Sequence, residues 1–142
     1  MFISQISVFA ENRNGAMLEV AGALKDANIN IRALSIADTA DFGIIRLIVD
    51  KTEDALKALR AQDMTVSETK VIAVSVADKP GSFKEVLLAL FEAEVAIEYA
   101  YAFAAPTGLG ANVILRCKKQ DKAAEQLKKR GLKLLTQEEI TG

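Results

Sequence analysis

Apolar positions recur with two different periods along this chain. In residues 2–10 (FISQISVFA), Ile6, Val8 and Ala10 fall on every second position, as in a half-buried strand. The period then lengthens. In residues 16–27, Met17, Val20, Ala21 and Leu24 stand at i, i+3, i+4 and i+7, the stripe of an amphipathic helix. Residues 29–37 (INIRALSIA) are rich in β-branched side chains, and the turn at 38–43 leads into 44–50 (IIRLIVD), so these two runs predict a hairpin. A second helix over 53–62 and a strand over 64–68 follow. The same succession then starts again: strand 71–77, helix 82–93, strands 95–103 and 111–117, helix 121–130, and strand 132–135.

The recurrence is in register. Shifting the chain by 66 residues lays Ile6 on Ile72, Val8 on Val74, Gly15 on Gly81, Glu19 on Glu85, Leu24 on Leu90 and Ile31 on Ile97. Past residues 106–110 (PTGLG) the shift becomes 68, so that Leu47 meets Leu115 and Leu59 meets Leu127. A length change confined to a turn is what a duplicated unit tolerates. The chain therefore reads as two domains, 1–69 and 70–142, each small for a self-sufficient core. The join at 67–70 (SETK) has no Pro or Gly and predicts continuous extended chain.

Each half has the order β-α-β-β-α-β. With right-handed crossovers this is an α+β, ferredoxin-like unit: an antiparallel four-stranded sheet with both helices on one face. One sheet face and one edge are left without a partner, which favours association, here a homodimer. The second unit's first helix opens at 82–85 (SFKE), the form of a capping box with Ser82 as N-cap and Glu85 at N3.

Composition narrows the chemistry. The 142 residues carry 18 Lys and Arg against 19 Asp and Glu, a net charge of −1 with no basic stripe, unlike a nucleic-acid binder. No apolar run reaches the roughly 20 residues of a membrane span. The N-terminus reads as a strand and not as a signal peptide. The single cysteine, Cys117, suits a reducing, cytoplasmic setting; late in a strand it reads as a buried structural residue. There is no histidine, which removes the commonest general base, nucleophile partner and metal ligand. No CxxC, P-loop or GxGxxG occurs, so neither catalysis, metal nor cofactor is expected.

Residues 77–86 (ADKPGSFKEV) place an acid, a base, a proline and a glycine at a strand-to-helix corner, and 11–20 (ENRNGAMLEV) is its counterpart. Ordinary turn and cap chemistry accounts for Asx and Gly at such corners. The stretch 78–99 (DKPGSFKEVLLALFEAEVAIEY) also resembles the opening of an ACT domain: an acid, Pro-Gly, then a large apolar residue two positions after the glycine. Residues 12–34 resemble it with departures, Asn12 replacing the acid and Asn14 the proline. As two tandem copies the resemblance covers nearly the whole chain. It implies an amino-acid-binding regulatory module without catalysis, with the ligand near the β1–α1 loops at an interface between units, and a metabolic enzyme as the partner that reads the bound state.

The corners have chemistry that suits such a ligand. A helix N-terminus offers unpaired N–H groups to a carboxylate, and Gly15 or Gly81 lets the backbone approach closely. Asp78, or the carbonyl oxygens of Asn12 and Asn14, can meet an ammonium. The candidate ligand residues are Asn12, Arg13, Asn14, Gly15 and Ala16 in the first corner, and Asp78, Lys79, Pro80, Gly81 and Ser82 in the second. The first is richer in hydrogen-bonding side chains. Asn30 is a further candidate, because the resemblance implies that its strand edge can contact a ligand from a neighbouring unit. Tyr99 joins it as the start of the alternating stripe Tyr99, Tyr101, Phe103, which reads as packing, as one pocket-lining tyrosine, or as a dimer face. The rival functions are an interaction module that has lost its ligand and a small enzyme using Lys79 or Arg13 with Asp78 or Glu11.

Overall fold

The computed structural model describes residues 2–141 apart from 12, 39–41, 106, 107 and 109. The strands and helices run β1 (Ile3–Glu11), α1 (Ala16–Asp26), β2 (Ile31–Asp38), β3 (Phe42–Val49), α2 (Thr52–Ala61), β4 (Thr65–Val76), α3 (Ser82–Glu92), β5 (Ile97–Ala104), β6 (Ala111–Cys117), α4 (Gln120–Lys129) and α5 (Gln137–Thr141). Two compact units result. Ser4–Thr69 forms one, together with Ile140 and Thr141; Lys70–Glu139 forms the other, together with Phe2 and Ile3.

In the first unit β3 lies between β2 and β1, antiparallel to both, and β1 also neighbours β4, whose opening residues Thr65–Thr69 belong to this unit. Ile6, Val8, Ile45, Leu47 and Val49 point to one side and are closed over by Val20 and Leu24 of α1 and by Ala55, Leu56 and Leu59 of α2. In the second unit the order is β4-β6-β5, and Ile72, Val74, Val113 and Leu115 meet Val86, Ala89 and Leu90 of α3 and Ala123, Ala124 and Leu127 of α4. The apolar periods of two and 3.6 thus interlock in each unit, and the β-α-β-β-α-β order with an antiparallel sheet and helices on one face is the ferredoxin-like arrangement.

Four details depart from the sequence reading. The strands expected at 64–68 and 71–77 are one 12-residue strand, β4, which the lack of Pro or Gly permits. The strand expected at 132–135 is reduced to a single antiparallel bridge, Val74 to Leu134, held by Ser75 N–H to Lys133 O at 2.9 Å and Leu135 N–H to Ala73 O at 2.8 Å. Helix α5 was not expected, although residues 136–139 (TQEE) carry a capping-box signature. Glu139 N–H donates to Thr136 Oγ1 at 3.2 Å, and Glu139 Oε1 accepts from Thr136 N–H at 3.1 Å.

The fourth departure is at α3. Its N-cap is Gly81, in the left-handed region, and no side chain caps the helix. Ser82 is therefore the first helical residue. Its hydroxyl is buried without a hydrogen-bond partner and closes no capping box. A left-handed glycine brings the chain into the helix one residue earlier than a serine cap would, and the hydroxyl is carried past the N–H groups it was expected to meet.

Candidate functional site

The two corners are built alike down to single hydrogen bonds. In the first, Arg13 N–H donates to Glu11 O at 2.8 Å, Ala16 N–H to Arg13 O at 3.3 Å, and Glu19 N–H to Gly15 O at 3.0 Å. In the second, Lys79 N–H donates to Ala77 O at 3.0 Å, Ser82 N–H to Lys79 O at 3.3 Å, and Glu85 N–H to Gly81 O at 3.3 Å. Gly15 and Gly81 both have φ of 88°, a conformation that costs side-chain-bearing residues. The first turns of α1 and α3 leave the N–H groups of Met17, Leu18, Phe83 and Lys84 without intrahelical acceptors, pointing out of the corner.

The side chains around this shared backbone differ. At the first corner Arg13 forms an ion pair with Glu19 at 2.6 Å. The pair holds the Glu19 carboxyl below its ordinary value and the guanidinium above its own, through the hydrogen bond first and the charge second. At the second corner Glu85 turns away to Arg130 of the α4 terminus, 3.7 Å off, and Lys79 lies exposed. A cleft of about 480 Å³ opens beside the first corner. Its polar rim is Glu11, Arg13 and Asn14, and its apolar wall includes Met17, Ile36 and Ile45. A second cleft, of about 440 Å³, lies on the β1–α2 side of the same corner and touches Arg13, Glu19 and Asp63. Its repeat counterpart at the second corner, about 500 Å³, is lined by Lys79, Ser82, Glu85 and Lys133.

The structure brings Arg13, Asn14, Gly15 and Ala16 together at one cleft, whereas Asn12 lies outside the described residues. Asp78, Lys79, Pro80, Gly81 and Ser82 form the second corner in the other unit. Asn30 does not join the first corner: it sits beyond the opposite end of α1, about 16 Å away along an 11-residue helix. There it exchanges hydrogen bonds with Asp50, its N–H donating to Oδ1 at 3.0 Å and its carbonyl accepting from the Asp50 N–H at 3.1 Å. Tyr99 pairs with Arg116 at the far end of β5, while the end of β4 that enters the second corner pairs Val76 with Ala111. Along the ladder, Tyr99 is about 16 Å from its own unit's corner. Tyr99, Tyr101 and Phe103 are all half-buried and share the sheet face turned from the helices.

Glu11, Met17, Ile36 and Ile45 were not anticipated as lining residues. Met17 had a readable signal, the large apolar residue two positions after the glycine. Ile36 and Ile45 are drawn in by strand register, since they are directly paired across β2 and β3. Among the described residues no group of three or more Cys, Asp or Glu is arranged to hold a metal ion, and no helix is long and apolar enough to cross a membrane.

Duplicated ferredoxin-like units with matched glycine corners define a class of two-domain modules, and a sequence-family model gives that class its name. The model of the ACT domain pair matches residues 1–142, and the chain belongs to that family. Among solved structures it is similar to protein BT0572 from Bacteroides thetaiotaomicron, at 40% identity and a TM-score of 0.93 over 99% of this chain and 96% of that one. It shares its fold with the ligand-free regulatory subunit of aspartate kinase from Thermus thermophilus, at 16% identity and a TM-score of 0.64 over 89% and 91% of the two chains. The regulatory subunit of aspartate kinase from Thermus flavus is similar in the same way, at 14% identity and a TM-score of 0.63 over 90% and 92%. No curated protein matches the chain in sequence.

Proposed function

We propose that this ACT domain pair is a non-catalytic, cytoplasmic regulatory protein that binds a free amino acid at its β1–α1 corners and conveys the bound state to a metabolic enzyme. The observation that carries this reading is the cleft of about 480 Å³ at the first corner. It combines the three elements an amino acid requires. The N–H groups of Met17 and Leu18 at the positive end of α1 face a carboxylate. Glu11 and the Asn14 carbonyl face an ammonium. Met17, Ile36 and Ile45 provide an apolar wall for a side chain. The helix end by itself supplies only about 0.3–1 kcal/mol, against roughly 8 kcal/mol for micromolar binding, so closure of the open side on ligand binding has to supply most of the affinity. That closure is the signal: a ligand favours the state in which it is better enclosed, and a partner distinguishes the two states.

The test is thermal unfolding against the twenty amino acids at millimolar concentration. A ligand at a hundredfold its dissociation constant adds about 2.7 kcal/mol, several degrees for a chain of this size. Asn14→Ala should abolish the shift if the first corner binds, and Asp78→Ala if the second does. A flat response to all twenty would replace this reading with that of a ligand-free interaction module.

A further inference from the structure

We infer that the ligand of this pair is an aliphatic amino acid, of the size of leucine, isoleucine, valine or methionine, and that each chain holds one, at the first corner alone. The inference rests on the amino-acid reading given above and narrows it to one corner and one class of side chain.

The wall of the cleft gives the first argument. Ile36 and Ile45 are paired directly across β2 and β3, so their side chains stand on one sheet face about 4.5–5.5 Å apart. Ile45 is buried, but Ile36 is 52% exposed, and on α1 Met17 and Leu18 are 37% and 76% exposed. All four line the cleft. Apolar side chains left open to water are ordinary when scattered singly; gathered at one opening, with Glu11, Arg13 and Asn14 along its rim, they mark a binding site. The volume of about 480 Å³ lies at the small end of the roughly 300–1,000 Å³ of small-molecule sites, which suits a single amino acid.

Charge gives the second. The ionisable groups of the rim are Glu11 and Arg13. Arg13 is held by Glu19 at 2.6 Å, and Glu11 faces the ligand's ammonium. A charged ligand side chain would therefore lie against Met17, Ile36 and Ile45, exchanging its hydration for hydrocarbon. A hydroxyl or amide would suffer the same loss less steeply. An aliphatic side chain suffers none of it and takes the wall out of water.

The other repeat gives the third. The backbone of the two corners is the same, and Ala102 pairs with Val113 as Ile36 pairs with Ile45. The side chains are not the same: the second unit has Ala77 for Glu11, Pro80 for Asn14, Lys84 for Leu18 and Ala102 for Ile36. Met17 keeps a large apolar counterpart in Phe83, but the strand wall facing it is cut back at both positions. Asp78, one residue beyond Ala77, belongs to the turn and not to the end of the strand. The second corner thus keeps the turn without the carboxylate of the strand end or the full wall.

Calorimetric titration of the full chain with leucine, isoleucine, valine, methionine, alanine, threonine, lysine and aspartate tests this. Each buried methylene contributes about fourfold in affinity, so the three carbons that leucine adds to alanine set a ceiling of about sixtyfold. The tightest of the four aliphatic ligands should exceed alanine by about tenfold or more, at one ligand per chain, with threonine, lysine and aspartate no tighter than alanine. Ile36→Ala, on the edge strand β2, should reduce the ratio of aliphatic to alanine affinity by about threefold or more, and Leu18→Ala should reduce it too. Damage to the fold would weaken both ligands together and leave the ratio unchanged. Tightest binding by threonine, lysine or aspartate, two ligands per chain of like affinity, or a ratio unmoved by both variants would overturn the inference and leave the amino-acid reading in place. Silence toward every amino acid would remove that reading and this inference together.

Discussion

Gly110→Ala tests whether a single backbone contact fixes the entry to the second corner. Gly110 has φ of +89°, and a Cβ built there would lie 2.3 Å from the Val76 carbonyl oxygen and 3.4 Å from the Ala77 Cα. Gly81, in the same unit, supplies the control: its φ is +88°, yet a Cβ there meets nothing within 4 Å. Both substitutions incur left-handed strain of about 1–2 kcal/mol. Only Gly110→Ala adds an overlap with backbone, which has to yield by about an ångström at about 1–3 kcal/mol. The expected costs are thus about 1–2 kcal/mol for Gly81→Ala and about 2–5 kcal/mol for Gly110→Ala. With a urea slope of about 2 kcal/mol/M, the two midpoints should differ by roughly 1 M. Coincident midpoints would refute the reasoning, because they would show that the β5–β6 turn moves off Val76 at negligible cost.

Three further outcomes follow from two buried groups. Ser82→Ala removes a hydroxyl that is buried without a partner, at a position filled by Ala16 in the other repeat, and should raise stability by about 1 kcal/mol in chemical denaturation; a loss of comparable size would show that the hydroxyl is satisfied in solution. Burial pushes the Cys117 thiol up to about 11 from an ordinary 9.0, so the unfolded chain releases this proton first and stability should fall as pH rises from 9 toward 11. A thiol reagent at pH 8 should modify Cys117 only at the rate of unfolding, and fast labelling of the native protein would contradict this.

The duplicated pattern was legible because cores are written in apolar periods, and those survive duplication: Ile6 and Ile72, or Leu24 and Leu90, are buried in both units. Caps and strand ends were less legible because a few atoms decide them. At Ser82 the sequence pointed to a serine cap, but the left-handed Gly81 takes the N-cap position instead. At 132–135 the apolar run was present, but Lys133–Leu135 makes only the bridge to β4. The candidate site was half legible. Gly15, Arg13 and Asn14 belong to one continuous stretch and could be read locally. Ile36 and Ile45 reach the cleft through strand pairing, which no local stretch of the sequence displays.

The unbroken strand β4 also bears on how such a chain can change in evolution. Successive residues of a strand face opposite ways, so one residue inserted between Val74 and Val76 would turn Val76 out of the second unit's core. The turn between β5 and β6 has no such parity, and there the two repeats differ by two residues. Length is free to drift at the hairpin tips, while inside a strand that lines a core it is locked in steps of two.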